Sequence, residues 1–146
     1  MTKIIFILQM ISTLWMAGLI WTIQLVHYPF FSQVRAENFA SFHASHTFWM
    51  GPLAVPAMII ELVTSVLLIL FPPEMIDPVW LWAGLILTLV TWFSTAFWQI
   101  PLHRRLSGGF DSAAQLRLVN TNWIRTAAWS LRAGLVIFWA WKVIGI

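Results

Sequence analysis

Asn122-Trp123-Ile124-Arg125-Thr126-Ala127-Ala128-Trp129-Ser130-Leu131-Arg132 opens the last long apolar segment of the chain, which runs on to Val143. On a helix, residues three, seven and ten apart share one face. Asn122, Arg125, Trp129 and Arg132 have that spacing, so an amide and two guanidiniums line up along one stripe, while the opposite face is mostly apolar. A guanidinium at the centre of a bilayer helix costs roughly 2.5–3.5 kcal/mol even on a lenient insertion scale, and it normally faces a bundle interior with a partner. The stripe therefore predicts a helix packed among others, with a polar interior to face.

The rest of the chain supplies those neighbours. Of its 146 residues, 60% are hydrophobic and only 9% charged, against about 25% charged in soluble domains. That composition predicts an integral membrane protein. Four apolar segments, 4–26, 48–70, 79–100 and 123–143, are each close to the roughly 20 residues a spanning helix needs. The predicted fold is all-α: one integral membrane domain, a four-transmembrane-helix bundle with short amphipathic helices in the two longer connections. The predicted partners are the lipid bilayer and a lipid-soluble small molecule, and an oligomer is compatible with the sequence. No basic run or binding motif accompanies the net charge of +3, so nucleic acid is not expected. The lack of cysteine excludes disulfides, thiolate chemistry, iron–sulfur clusters and zinc–sulfur sites.

Taken in order, the first segment follows Lys3 and is too long for a signal-peptide core of about 7–15 residues. It reads as a retained helix that closes with Gln24 and His27 on one face and stops at Tyr28-Pro29, since proline discourages continuation. Residues 31–47 interleave Phe31, Val34, Phe39 and Phe42 with polar groups at helical spacing, which predicts an amphipathic interfacial helix. His43 and His46, three apart, point the same way. The second span holds Pro52, Pro56 and Glu61, the only acid inside any span. Residues 71–78 carry three prolines and form a tight connection. The third span presents Thr88, Thr91, Thr95, Gln99 and His103 as a second polar stripe. After a glycine turn at 106–111, Asp111 or Ser112 can cap a short helix through Asn120.

Four spans put both termini on one side, with Lys3, Lys142 and the proline loop. Arg35, Arg104, Arg105 and Arg117 fall on the other. The positive-inside rule makes that second side cytoplasmic and both termini non-cytoplasmic in a multi-pass cell-membrane protein.

At about 1.5 Å of rise per residue, Glu61 and Arg132 lie within roughly 5 Å of each other in depth, which predicts an ion pair. Such a pair either fixes helix register or floors a cavity, with Glu61 moving protons. Toward the cytoplasmic side come Arg125, Asn122, Gln99, Gln24 and all four histidines: His27, His43, His46 and His103. Imidazole is the commonest metal ligand, and three or four together suit zinc, copper or iron. A solvated or hydrogen-bonded role is the alternative for each. Arg125 and Arg132, striped with Asn122 and Trp129, suit a carboxylate or phosphate, including haem propionates. Trp80, Trp82, Trp98, Trp123 and Trp141 read as interfacial anchors. Trp15, Trp92 and Trp129 lie deeper, for bundle packing or for stacking on a flat ligand.

Trp15-Met16-Ala17-Gly18-Leu19 followed by Val26-His27-Tyr28-Pro29 resembles two groups of small four-helix membrane proteins, the HemJ-type protoporphyrinogen oxidases and the anthrone oxygenase-like proteins. The likeness covers about thirty residues of the first span. Where the first group has a histidine two turns before the tryptophan, this chain has Leu8, so no catalytic residue is carried over. The resemblance implies membrane oxidoreductase chemistry. The functional expectation is an enzyme with a metal (iron, copper or zinc) or haem site on histidine. Its substrate is lipid-soluble with an acidic or polar group, held by Asn122, Arg125, Trp129, Gln99 and Gln24. Glu61, Arg132 and His103 are the catalytic candidates. The alternative is a non-catalytic membrane subunit or small carrier whose polar stripes serve packing or proton transfer.

Overall fold

Proline and glycine set where the helices break. The structure, a computed structural model, describes residues 2–144, and every regular element among them is helical. Four long rods result: α1 (Thr2–Gln33), α2 (Ala36–Leu70), α3 (Pro78–Leu106) and α4 (Ser112–Ile144). Asp77 starts α3 by accepting the Val79 N–H at 2.9 Å, with Pro78 at the first helical position, where a missing N–H costs nothing. Asp111 starts α4 by accepting the Ala114 N–H at 2.9 Å, and its carboxylate meets Arg105 at 2.6 Å. Between them Gly109 takes φ +134°, a conformation open to glycine and strained for other residues.

The rods close into a ring. α1 packs against α2 and α4, and α3 packs against the same two. Burial is inverted relative to a water-soluble protein. Glu61, Arg132, Gln9, Thr13, Thr88, Thr91 and Asn122 are buried, while Ile4, Leu25, Phe48, Phe93, Phe97 and Leu131 lie exposed. That outer surface suits lipid. α1, α2 and α3 are long and apolar enough to cross a membrane. α4 is as long, but its first half carries Gln115, Arg117, Asn120, Asn122 and Arg125.

The predicted boundaries change in two places. α1 does not stop at Tyr28-Pro29. A π turn over Ile23–His27, in which the Tyr28 N–H reaches back to the Ile23 carbonyl, absorbs the proline, and the rod continues to Gln33. A second π turn, Thr95–Gln99, closes with the Ile100 N–H on the Thr95 carbonyl, one residue before Pro101. The amphipathic stretches are also not separate helices. Residues 36–47 run unbroken into α2, and 112–120 into α4. Trp15 also departs from expectation. It is 52% exposed on the lipid-facing surface, its indole N–H donating to the Leu53 carbonyl at 2.9 Å.

Candidate functional site

The interior holds two polar centres at different heights. In the deeper one, Glu61 and Arg132 form the pair that their depths predict, Nε donating to Oε1 at 2.7 Å with both side chains buried. Thr13 donates to the same carboxylate oxygen at 2.8 Å, and the Trp129 indole to the other at 2.9 Å. The remaining guanidinium nitrogens donate to the Gly84 carbonyl and to Ser65 Oγ. Gln9 widens the network, donating to Thr13 and accepting from Thr64 and Ser65. All four rods contribute, and the charges are fully engaged. Neither Glu61 nor Arg132 is among the residues lining the groove above them.

That groove opens between α2 and the end of α3 and measures about 300 Å³. Met50, Ala54, Val55 and Met58 of α2 form an apolar wall, and Tyr28, His46, Gln99, His103 and Arg125 supply the polar end. The two π turns put these groups there. One re-registers α1 just before Tyr28, the other re-registers α3 just before His103. π turns recur at functional sites because they re-aim side chains without ending the helix.

Arg125 is the unusual member. It is 5% exposed, yet of the two ion pairs among the described residues neither includes it. Its guanidinium lies 5.2 Å over the Trp129 ring and beside the Tyr28 hydroxyl, and its Nε has no hydrogen-bond partner. Asn122 donates to Gln24 Oε1 at 2.8 Å but leaves its own Oδ1 unpartnered; Gln99 donates to Thr121 at 3.2 Å and leaves Oε1 unpartnered. Buried polar atoms are nearly always satisfied. Of these three residues, Arg125 and Gln99 line the groove and Asn122 does not.

The four histidines do gather. His43 Nε2 lies 3.0 Å from His103 Nδ1, and His103 Nε2 lies 2.9 Å from the Tyr28 hydroxyl. His46 stacks on His103 at 5.7 Å between ring centres, and His27 sits 5.4 Å behind His46. Metal ligands must aim their lone pairs at one point, about 2.0–2.1 Å from each nitrogen for zinc. These rings lie side by side, and both nitrogens of His103 are already engaged. Among the described residues no group of three or more histidine, aspartate or glutamate side chains is disposed to hold a metal ion. The convergent ligand set that the sequence suggested is not what this packing provides.

Of the predicted substrate-binding residues, Arg125 and Gln99 line the groove. Asn122 and Gln24 lie buried beside Thr126. Trp129 serves the Glu61 network and carries Arg125 on its face. From sequence Tyr28 reads only as a helix end, and the structure makes it part of the groove. Its signal was available, since it is the one tyrosine in the chain and falls four residues after Gln24. A separate hollow of about 350 Å³ at the opposite end, lined by Lys3, Pro72, Pro73 and Glu74, contains none of these groups.

No family model, curated protein or solved structure matches the chain.

Proposed function

We propose that the chain is a multi-pass membrane enzyme of the oxidoreductase class acting on a lipid-soluble molecule with an acidic or polar group. On this reading all four rods cross the bilayer, the arginine-rich end is cytoplasmic and the groove admits its substrate sideways from lipid. Arg125 carries the argument. A buried guanidinium without a carboxylate is costly in a membrane, and here it stands at the polar end of a groove whose wall is apolar. It is the residue to hold the anionic or carbonyl end of a guest. The Tyr28–His103–His43 chain beside it is suited to donating or accepting a proton there. No step is assigned to a metal, because the rings do not converge on one.

Lipid extracts of cells carrying the wild-type gene, its deletion, or Arg125→Gln test the reading. One lipid-soluble acidic or carbonyl compound is expected to accumulate equally in the last two. Unchanged extracts would leave the second reading, a non-catalytic subunit or carrier. That reading is favoured by one observation: the Glu61–Arg132 network is consumed entirely in joining helices.

A further inference from the structure

The orphaned nitrogen at the end of the histidine chain determines where its protons lie. His43 Nε2 and His103 Nδ1 face each other at 3.0 Å, so one carries the proton and the other is bare. At the far end His43 Nδ1 is buried with no partner. A buried N–H with nothing to donate to is rarer in native proteins than an unused acceptor. A bare Nδ1 then fixes the rest. His43 holds its proton on Nε2 and donates to His103 Nδ1. His103, bare at Nδ1, holds its proton on Nε2 and donates to the Tyr28 oxygen, 2.9 Å away. The hydrogen of the Tyr28 hydroxyl must point elsewhere. Arg125, beside that oxygen, has five donors and no acceptor. Gln99 Oε1, the nearby unpartnered acceptor, takes no bond from Tyr28.

We propose that the groove takes its ligand by an acceptor oxygen, a carbonyl or carboxylate, held jointly by the Tyr28 O–H and the Arg125 guanidinium. The apolar remainder lies along Met50, Ala54, Val55 and Met58 toward the lipid. This rests on the groove being a ligand site. It adds Tyr28 as the group that selects ligand chemistry. An alkylammonium head would meet the Arg125 charge beside the Tyr28 hydroxyl, and Gln99 Oε1, a neutral unpartnered acceptor lining the groove, does not offset that repulsion.

Nitrogen NMR of the full chain in lipid nanodiscs, with isotope-labelled histidine, reads the tautomers directly; His43→Gln and His103→Gln assign the signals. Both rings are expected to be protonated at Nε2 and bare at Nδ1, and a protonated His43 Nδ1 overturns the proposal. The same sample is then titrated with a long-chain fatty acid, a methyl ketone of equal length and an alkylamine of equal length. Acid and ketone should shift the His103 Nε2 signal and the amine should not. Tyr28→Phe should weaken the ketone about tenfold, the loss of one good hydrogen bond, and the acid less, since Arg125 still holds it. Equal binding of the amine, or no loss in Tyr28→Phe, overturns the inference and leaves the groove as a ligand site. Failure of all three ligands to bind helical wild-type protein removes both.

Discussion

Arg125 and Arg132 sit two turns apart on one helix face and experience opposite electrostatics. Arg132 has a carboxylate, a carbonyl and hydroxyls around it, so removing it strands Glu61 in the same buried place. Arg132→Met is expected to cost about 3–5 kcal/mol, the usual penalty for breaking a buried pair on one side. Adding Glu61→Leu should recover most of that loss. Unfolding in mixed micelles measures both, and a double variant no better than the single would show that the carboxylate was never strained by losing its partner. Arg125 has no acid to strand. Arg125→Met should therefore raise stability, by about 0.5–2 kcal/mol, as relief of functional strain commonly does, while reproducing the accumulation expected in lipid extracts of the deletion. A fall in stability would mean that the guanidinium is a packing group. The stripe itself was legible, because a period near 3.6 needs no partner to be seen. The different fates of its two arginines were not, since they depend on which side chains α1, α2 and α3 bring to each level.

Among the elements, α3 and α4 approach each other closely at Gly84. A Cβ on Gly84 would stand 2.8 Å from the rigid Trp139 ring and 3.3 Å from the Arg132 guanidinium. Gly84→Ala should cost about 1–3 kcal/mol, the range for overpacking. Gly134→Ala, with nothing within 4 Å, should be neutral or gain up to about 1 kcal/mol by helix propensity. Equal effects at the two sites would refute the close contact. The start of α4 has a pH signature. The Ala114 N–H, followed by Arg105, holds the Asp111 carboxyl below the usual aspartate range. A depressed value means that the capping contribution is complete above the unfolded-state pKa and is lost as pH falls through the folded one. The thermal-stability gap between wild type and Asp111→Ala should therefore stay level at neutral and mildly acid pH, then close below about pH 4. A gap independent of acidification would remove the charged cap. Asp111 was readable as a cap from sequence. The continuity of α1 through Pro29 was not. Proline's missing N–H suggests a stop, and only the π turn one step upstream, a tertiary accommodation, lets the rod run on.

On the scale of the whole molecule, the apolar segments and the polar stripes were enough to place the charges inside and the hydrocarbon outside. Segment lengths were understated because amphipathic stretches look like connections when hydropathy alone marks a span. Rods of 29 to 35 residues reach about 44–53 Å at 1.5 Å per residue, well beyond a hydrocarbon core of about 30 Å. The excess must project into the headgroups and water. Arg35, Arg104, Arg105 and Arg117 mark one end and Lys3 and Lys142 the other, and the orientation proposed above, with the arginine end cytoplasmic, follows the positive-inside rule. Because the chain has no cysteine, single introduced cysteines report their side without background. Glu74→Cys, between α2 and α3, should react with a membrane-impermeant maleimide on intact cells, and Ser107→Cys, at the other end of α3, only after permeabilisation. The reverse pattern would invert the orientation. Lys142→Cys then tests the rod whose polar first half sets it apart. If α4 crosses, Lys142 reacts on intact cells with Glu74. If it reacts only with Ser107, α4 lies along the cytoplasmic surface. Arg132 could not then reach Glu61 at mid-depth, so that result would dissolve the deeper network and the groove together.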